Sequence, residues 1–388
     1  MNRAARDRRK ILGVLAAGGC ALCASGLRPT RFAWAQDVAG PGSMVPVEDG
    51  GIAPRPARWW KKLPEDHVEC GLCPHKCKVS DGERGTCGVR ENRRGEYLTL
   101  VHSRPCTLHI DPVEKKPFFH LLPGAAALSL ATVGCNFVCH CCQNWEIAQA
   151  RPEQIPSSTL TPEDLAQLAR QRRAPIIACT YTEPVVWSEY VFDIAVAARK
   201  VGVRTVTVSN GFIQEQPLAD LLTQLAAVKI DLKSFSEKFY KEHCGGELEP
   251  VLDTLRRLRK AGTWFEIVVL VIPTQNDSPQ EIRSLVRFVK TDLGADVPVH
   301  FTRFHPSYRL RNMPSTPVPT LERAHAIAKE EGLSFVYLGN VPGHPAEHTY
   351  CPGCGEALIR RLGMSVVENR LSNGACPDCR RKIPGIWA

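Results

Sequence analysis

Four of the eight residues from Cys135 to Cys142 are cysteines, and they follow directly on the apolar run Ala127–Val133. Read as Cys135-x3-Cys139-x2-Cys142, the spacing sets three thiolates on one tight loop at the end of a strand. Such a loop can hold three corners of a [4Fe–4S] cube and leave the fourth iron open to a small ligand. Clusters that only store electrons normally take four protein ligands. The same loop also suits zinc, with His140 or Cys141 as the fourth ligand. Merely buried cysteines do not account for this density.

The chain has 388 residues and 17 cysteines, of which Cys20 and Cys23 lie near its start. Twelve of the other fifteen fall into three local groups. Cys70-x2-Cys73-x3-Cys77-x9-Cys87 gathers four thiols within eighteen residues. Cys351-x2-Cys354-x21-Cys376-x2-Cys379 gives paired knuckles, with Pro352-Gly353 and Pro377-Asp378 as their turns. The second spacing is that of a zinc ribbon or rubredoxin-like site, where four thiolates accept zinc or iron. The first is less regular and suits zinc or an auxiliary iron–sulfur cluster. Disulfides are the alternative in an exported chain. Disulfide frameworks, however, belong to small loop-rich chains, and these groups flank and enter an enzyme-sized domain. Cys106, Cys179 and Cys244 are isolated and read as small core or surface residues.

The distribution of charge excludes one class of partner. The formal net charge is +9, but residues 1–35 alone hold +6, leaving +3 for the rest. An excess confined to a leader offers no basic face to nucleic acid. Arg8-Arg9-Lys10, the uncharged run from Ile11 to Leu27 and the triplet Ala33-Trp34-Ala35 form a signal peptide of twin-arginine type, too short to span a bilayer. The expectation is a periplasmic protein with no stable membrane span after leader removal. A cytoplasmic protein, or one anchored by its leader, is the alternative. Pro41-Gly42, Gly50-Gly51, Pro54 and Pro56 read as a linker over residues 36–66.

Beyond the linker, a cysteine-rich module is expected over residues 67–122, a β/α domain over 123–345 and a second cysteine module over 346–388. Strands are predicted at Ala127–Val133, Ile176–Thr180, Thr205–Ser209, Val228–Leu232, Glu266–Ile272 and Val297–Phe304, with a weaker one at Ser334–Leu338. Helices intervene. Thr161-Pro162-Glu163-Asp164 is an N-cap, a first-turn proline and two acids, and Gly262 and Gly332 stand where helices over Leu252–Ala261 and Leu321–Glu331 need left-handed caps. This alternation predicts the α/β class with a parallel sheet, as a partial or complete β/α barrel. No Gly-x-Gly-x-x-Gly follows a strand, which disfavours a doubly wound sheet. In β/α barrels the catalytic loops sit at the C-terminal ends of strands, where the cysteine loop falls.

The segment Thr132-Val133-Gly134-Cys135-Asn136-Phe137-Val138-Cys139-His140-Cys141-Cys142-Gln143-Asn144-Trp145-Glu146 has specific company. With Asp111-Pro112-Val113-Glu114-Lys115-Lys116-Pro117, Tyr181-Thr182-Glu183-Pro184 and the terminal cysteine pairs, it resembles the radical S-adenosylmethionine (SAM) enzyme of the AmmeMemoRadiSam system, a relative of pyruvate formate-lyase activating enzymes, over about residues 68–388. The resemblance implies a partial β/α barrel of the radical SAM type, a [4Fe–4S] cluster on Cys135, Cys139 and Cys142, and SAM. Thr182 and Glu183 stand where many relatives have a Gly-Gly-Glu element that meets the methionine ammonium. Asn210, and the pair Asp231 and Lys233, stand at the ribose and carboxylate contacts. Each of these is equally an ordinary turn or cap residue. Cys141 replaces the aromatic residue that lies against adenine in many members. His305, after the sixth strand, is a further candidate for the site, and the charged run around Glu114, Lys115 and Lys116 for its mouth.

Two functions are thereby expected. The first is a radical SAM enzyme that abstracts hydrogen from a protein, peptide or small molecule. Its partners would be a reductant such as flavodoxin or ferredoxin and a Memo-like protein, with zinc or iron at the flanking sites Cys70, Cys73, Cys77, Cys87 and Cys351, Cys354, Cys376, Cys379. The second is an exported multi-metal redox protein without SAM chemistry, because SAM and low-potential reductants are cytoplasmic supplies.

Overall fold

The computed structural model describes residues 53–388, and the expected leader and first part of the linker lie outside them. The apolar runs form an eight-stranded sheet: β1 (Thr107–Pro112), β2 (Ala126–Ala131), β3 (Ile176–Cys179), β4 (Arg204–Ser209), β5 (Ala227–Asp231), β6 (Trp264–Val271), β7 (Val299–Arg303) and β8 (Val336–Gly339). Spatial order follows chain order, with β1 antiparallel to β2 and every later neighbour parallel. Six helices make the crossovers: α1 (Pro162–Gln171), α2 (Ser188–Lys200), α3 (Glu215–Leu222), α4 (Glu249–Ala261), α5 (Pro279–Phe288) and α6 (Val318–Glu330). The edges β1 and β8 do not pair, so this is a partial β/α barrel, as expected.

Local sequence explains the helix ends. Thr161 accepts the Asp164 N–H at 3.1 Å while the Asp164 carboxylate accepts the Thr161 N–H at 2.9 Å, a reciprocal cap on α1. Gly262 closes α4 at φ +70°, a left-handed position that a side chain would strain. Period-two alternation sorts the strands. Leu128, Leu130, Ile177, Val228, Ile230, Ile267 and Val269 join the large core with the helices. Ala127, Ile176, Ala178, Val206 and Ala227 point the other way and fill the barrel floor with Phe118 and Leu121.

Small antiparallel modules flank the sheet. The stretch read as linker contributes strands Arg55–Pro56 and Trp60–Lys62, which pair with Glu96–Thr99 and Val68–Cys70. Strand β1, expected within the N-terminal module, instead extends the barrel sheet. At the other end, Thr349–Tyr350, Ala357–Leu362 and Ser365–Asn369 form a three-stranded meander. Among the described residues no helix is long and apolar enough to cross a membrane.

The barrel's open side is sealed at the floor. Segment 118–121 inserts there, and the Glu266 carboxylate of β6 accepts the N–H groups of Phe119 (3.0 Å) and His120 (2.8 Å) and bonds His300 (2.8 Å). Arg361 donates to the Phe119 carbonyl at 2.8 Å, and Ile386 pairs with Leu121. The buried His120 donates from Nδ1 to the Pro384 carbonyl (2.6 Å), which leaves Nε2 to accept from the Tyr337 hydroxyl (2.6 Å). That tautomer is neutral, and burial pulls the His120 pKa down to about 4.

An unfolded histidine titrates near 6.5, so the unfolded chain binds the proton first as pH falls. The stability conferred by neutral His120 is complete above pH ~6.5 and is lost as pH falls toward its folded value, about 3 kcal/mol in all. Urea unfolding across this window should show stability falling with pH. His120→Gln should reduce the slope by about one proton's worth.

Candidate active site

A cavity of about 550 Å3 opens at the C-terminal ends of the strands. It is lined by Cys135, Cys139, Cys142, Thr182, Glu183, Asn210, Asp231 and Lys233. Cys141 also lines it, whereas His305 is exposed and lies outside it.

The cysteine loop is held from three directions. Gly134 opens it at φ +99°, where a Cβ would stand 2.5 Å from the Val89 side chain, so only glycine fits. The Asn136 amide accepts from Asn210 Nδ2 (2.8 Å) and donates to the Phe212 carbonyl (2.9 Å), tying the loop to the end of β4. Phe137, 1% exposed, packs against Phe212 and Tyr240. The Val138 and His140 N–H groups donate to the carbonyls of Cys244 (2.8 Å) and His243 (2.9 Å). Cys244, isolated in sequence, is thereby brought beside Cys139. Its neighbour is set by the turn after β5, which no local spacing announces.

These thiols are hard to ionise unaided. The Cys244 contact, followed by burial, holds Cys139 well above the usual thiol range, and burial pushes Cys142 up to about 11 and Cys141 up to about 12. A bound cation would reverse that balance. The donor set, three thiols converging on one end of a cavity large enough for a second ligand, fits a [4Fe–4S] cluster with an open iron.

The polar residues around the thiols have definite partners. Glu183 accepts from Val185 N (3.0 Å), Ser209 Oγ (2.7 Å) and Asn210 N (2.7 Å), bracing the ends of β3 and β4. Burial nevertheless raises its pKa to about 7. Thr182 donates to the Thr132 carbonyl at 2.7 Å. Asp231 sits between Lys229 and Lys233, the latter at 2.9 Å. Burial opposes its ionisation, but the two ammonium groups prevail and hold the carboxyl well below the usual range. Lys229 was not singled out in sequence, although it shares one face of β5 with Asp231, two residues before Lys233 ends the run.

Lys115, Lys116 and Pro117 form part of the mouth, as the charged run suggested. Asp111 joins Lys115 (2.7 Å), Lys116 (2.8 Å) and the Tyr181 hydroxyl (2.6 Å), and Lys116 lies 4.5 Å above the Tyr181 ring. Burial draws the Lys116 pKa down to about 8. Glu114 turns away and accepts the Gly124 N–H at 2.9 Å.

The two flanking groups differ in geometry. The sulfurs of Cys351, Cys354, Cys376 and Cys379 all lie within 4.8 Å of one another, with contacts of 3.5 and 3.6 Å. Four thiolates around one ion at ~2.3 Å stand about 3.8 Å apart, so this set fits a single tetrahedral ion. Among the described residues it is the one set that is so tight. Cys70, Cys73, Cys77 and Cys87 come within electrostatic reach of one another in a looser group.

Comparison with known proteins adds a family. Residues 129–289 match the Radical SAM superfamily. The chain is 43% identical over 331 residues to the uncharacterised protein MJ0808 of Methanocaldococcus jannaschii, covering 85% of this chain and 98% of that one. It is 22% identical over 289 residues to the uncharacterised MJ0674 of the same organism, covering 69% and 76%. Among solved structures, a domain of a pyruvate-formate lyase-activating enzyme from Bacteroides vulgatus covers 42% of this chain and 98% of its own at 17% identity and TM-score 0.38. A radical SAM methyltransferase from Sphaerobacter thermophilus covers 74% and 78% at 13% identity and TM-score 0.44. With its three-cysteine loop at the mouth of a partial β/α barrel, this chain belongs to the radical SAM superfamily.

Proposed function

We propose that this protein is a radical SAM enzyme of the AmmeMemoRadiSam type that abstracts hydrogen from a substrate held at the barrel mouth. The convergence of Cys135, Cys139 and Cys142 on one cavity carries the reading. When bound, the [4Fe–4S] cluster supplies one electron to cleave SAM into methionine and a 5′-deoxyadenosyl radical. The chain's own residues position and shield. Lys233 offers an ammonium to a carboxylate, and Glu183 retains room for one further donor beside its three protein contacts. The Asn136–Asn210 pair holds the thiol loop in register with the strand ends. Lys115, Lys116 and Tyr181 give the mouth polar groups with which to orient a protein, peptide or small-molecule substrate.

Two chemistries suit such a mouth: activation of a partner protein through a backbone hydrogen, and modification of a peptide or small molecule with a Memo-like partner. A flavodoxin or ferredoxin would supply the electron. The Arg8-Arg9 leader supports export of the folded protein. The alternative of a redox protein without SAM chemistry is not favoured by the superfamily match. At the C-terminal knuckles the compact sulfur set suits one structural zinc or iron ion.

Anaerobically reconstituted Cys139→Ala should lose the iron and sulfide of the central loop and make no 5′-deoxyadenosine from SAM and dithionite. SAM cleavage at the wild-type rate would overturn the assignment. Cys354→Ser should lose one metal ion per chain and melt at lower temperature, leaving iron at the central loop. Unchanged metal content and unchanged melting would remove the structural-ion reading.

A further inference from the structure

The N-terminal thiols lie in a setting that a single ion does not explain. They are more widely spread than the compact C-terminal four. Thiolates bound to different irons of one cluster stand further apart than thiolates sharing one ion. Beside them is a polar group with nothing to bond. The Tyr97 hydroxyl, on a residue only 1% exposed, has no partner, and it feels the charges of Cys70, Cys77 and Cys87. Gly85 leaves the space it faces: a Cβ there would stand 2.9 Å from that hydroxyl and 3.6 Å from the Cys77 sulfur. A buried hydroxyl left unbonded costs about 1–3 kcal/mol, so a sulfur acceptor at this point would remove a penalty the protein alone does not.

The charge setting agrees. Arg90, 1% exposed, is held by a bidentate pair with Glu189 at 2.9 Å, lies 5.4 Å from the Tyr97 ring and feels the charge of Cys70. Its Nε is also unbonded. Glu189 balances its charge, so Arg90 offers Cys70 and Cys87 the local field of its guanidinium.

This module abuts the active-site loop. Cys87 and Cys135 line one cavity of about 680 Å3, and the Cys87 carbonyl stands 3.0 Å from where a Gly134 Cβ would be. We propose that Cys70, Cys73, Cys77 and Cys87 hold a second, fully protein-ligated [4Fe–4S] cluster, hydrogen-bonded by Tyr97, that passes electrons to the Cys135 loop. An external low-potential donor of the flavodoxin or ferredoxin class reduces this cluster by one electron. That electron then reduces the active-site cluster, returning the relay to its oxidised state. The relay role rests on the radical SAM reading; the cluster itself does not.

The test uses the full chain, produced without oxygen and assayed for iron, sulfide and zinc, with electron paramagnetic resonance after dithionite reduction. Cys73→Ser should halve iron and sulfide and leave zinc unchanged. Loss of zinc with iron unchanged would overturn the proposal. Tyr97→Phe should keep all the iron and lower the midpoint potential of one of two cluster signals, because hydrogen bonds to sulfur raise it. Unmoved potentials would remove Tyr97 from the site. With a flavodoxin system as donor, Cys73→Ser should form 5′-deoxyadenosine at least tenfold more slowly, yet within twofold of wild type with dithionite. Equal rates with flavodoxin would overturn the relay. Wild-type chain that holds both clusters and cleaves no SAM would sink the enzymatic reading and leave the second cluster standing.

Discussion

The Glu266 carboxylate is the contact on which the open barrel depends. A sheet that does not close leaves the outer edge of its first strand unpaired, and the hairpin after β1 must be held across the gap by something else. Glu266 does this from β6, receiving two backbone N–H groups of segment 118–121 and the His300 ring in a fully buried setting. Burial alone would protonate it. Its hydrogen bonds, first that of the His300 ring and then that of the Phe119 N–H, instead hold its pKa below the ordinary carboxylate value. With the floor fixed in this way, the strand ends above it converge on one cavity.

The strand order and the central site were legible because both are local patterns. Six apolar runs and one weaker one correspond to β2–β8, with ends displaced by a few residues. The Cys135 loop could be found because only three and two residues separate its ligands, and its polar neighbours because they stand at or just beyond strand ends. Contacts that close over long sequence distances were not legible. Strand β1 alternates polar and apolar residues, but nothing in so short a run says that it pairs with β2 rather than within the N-terminal module. Cys244 reaches Cys139 through a turn whose register depends on the packed barrel. Tyr97 and Arg90 carry no motif, and only the folded N-terminal module brings them to the thiols.

The three cysteine groups also sort by physical setting. The C-terminal set is compact and lies at the surface end of its knuckles, with Cys354 and Cys379 exposed. The central set faces a cavity with room for a second ligand. The N-terminal set is looser and lies against buried Tyr97 and Arg90. Spacing in the sequence separates the first from the others. The surroundings separate all three.

The floor seal has a consequence for biogenesis. Leu121 pairs with Ile386, and His120 bonds the Pro384 carbonyl, so residues from opposite ends of the barrel's chain segment meet in one buried layer. Strands can pair in order as the chain is synthesised, but this layer must wait for Pro384 and Ile386 to emerge. A chain truncated before Pro384 would keep all eight strands of the sheet and lose these C-terminal contacts of the seal.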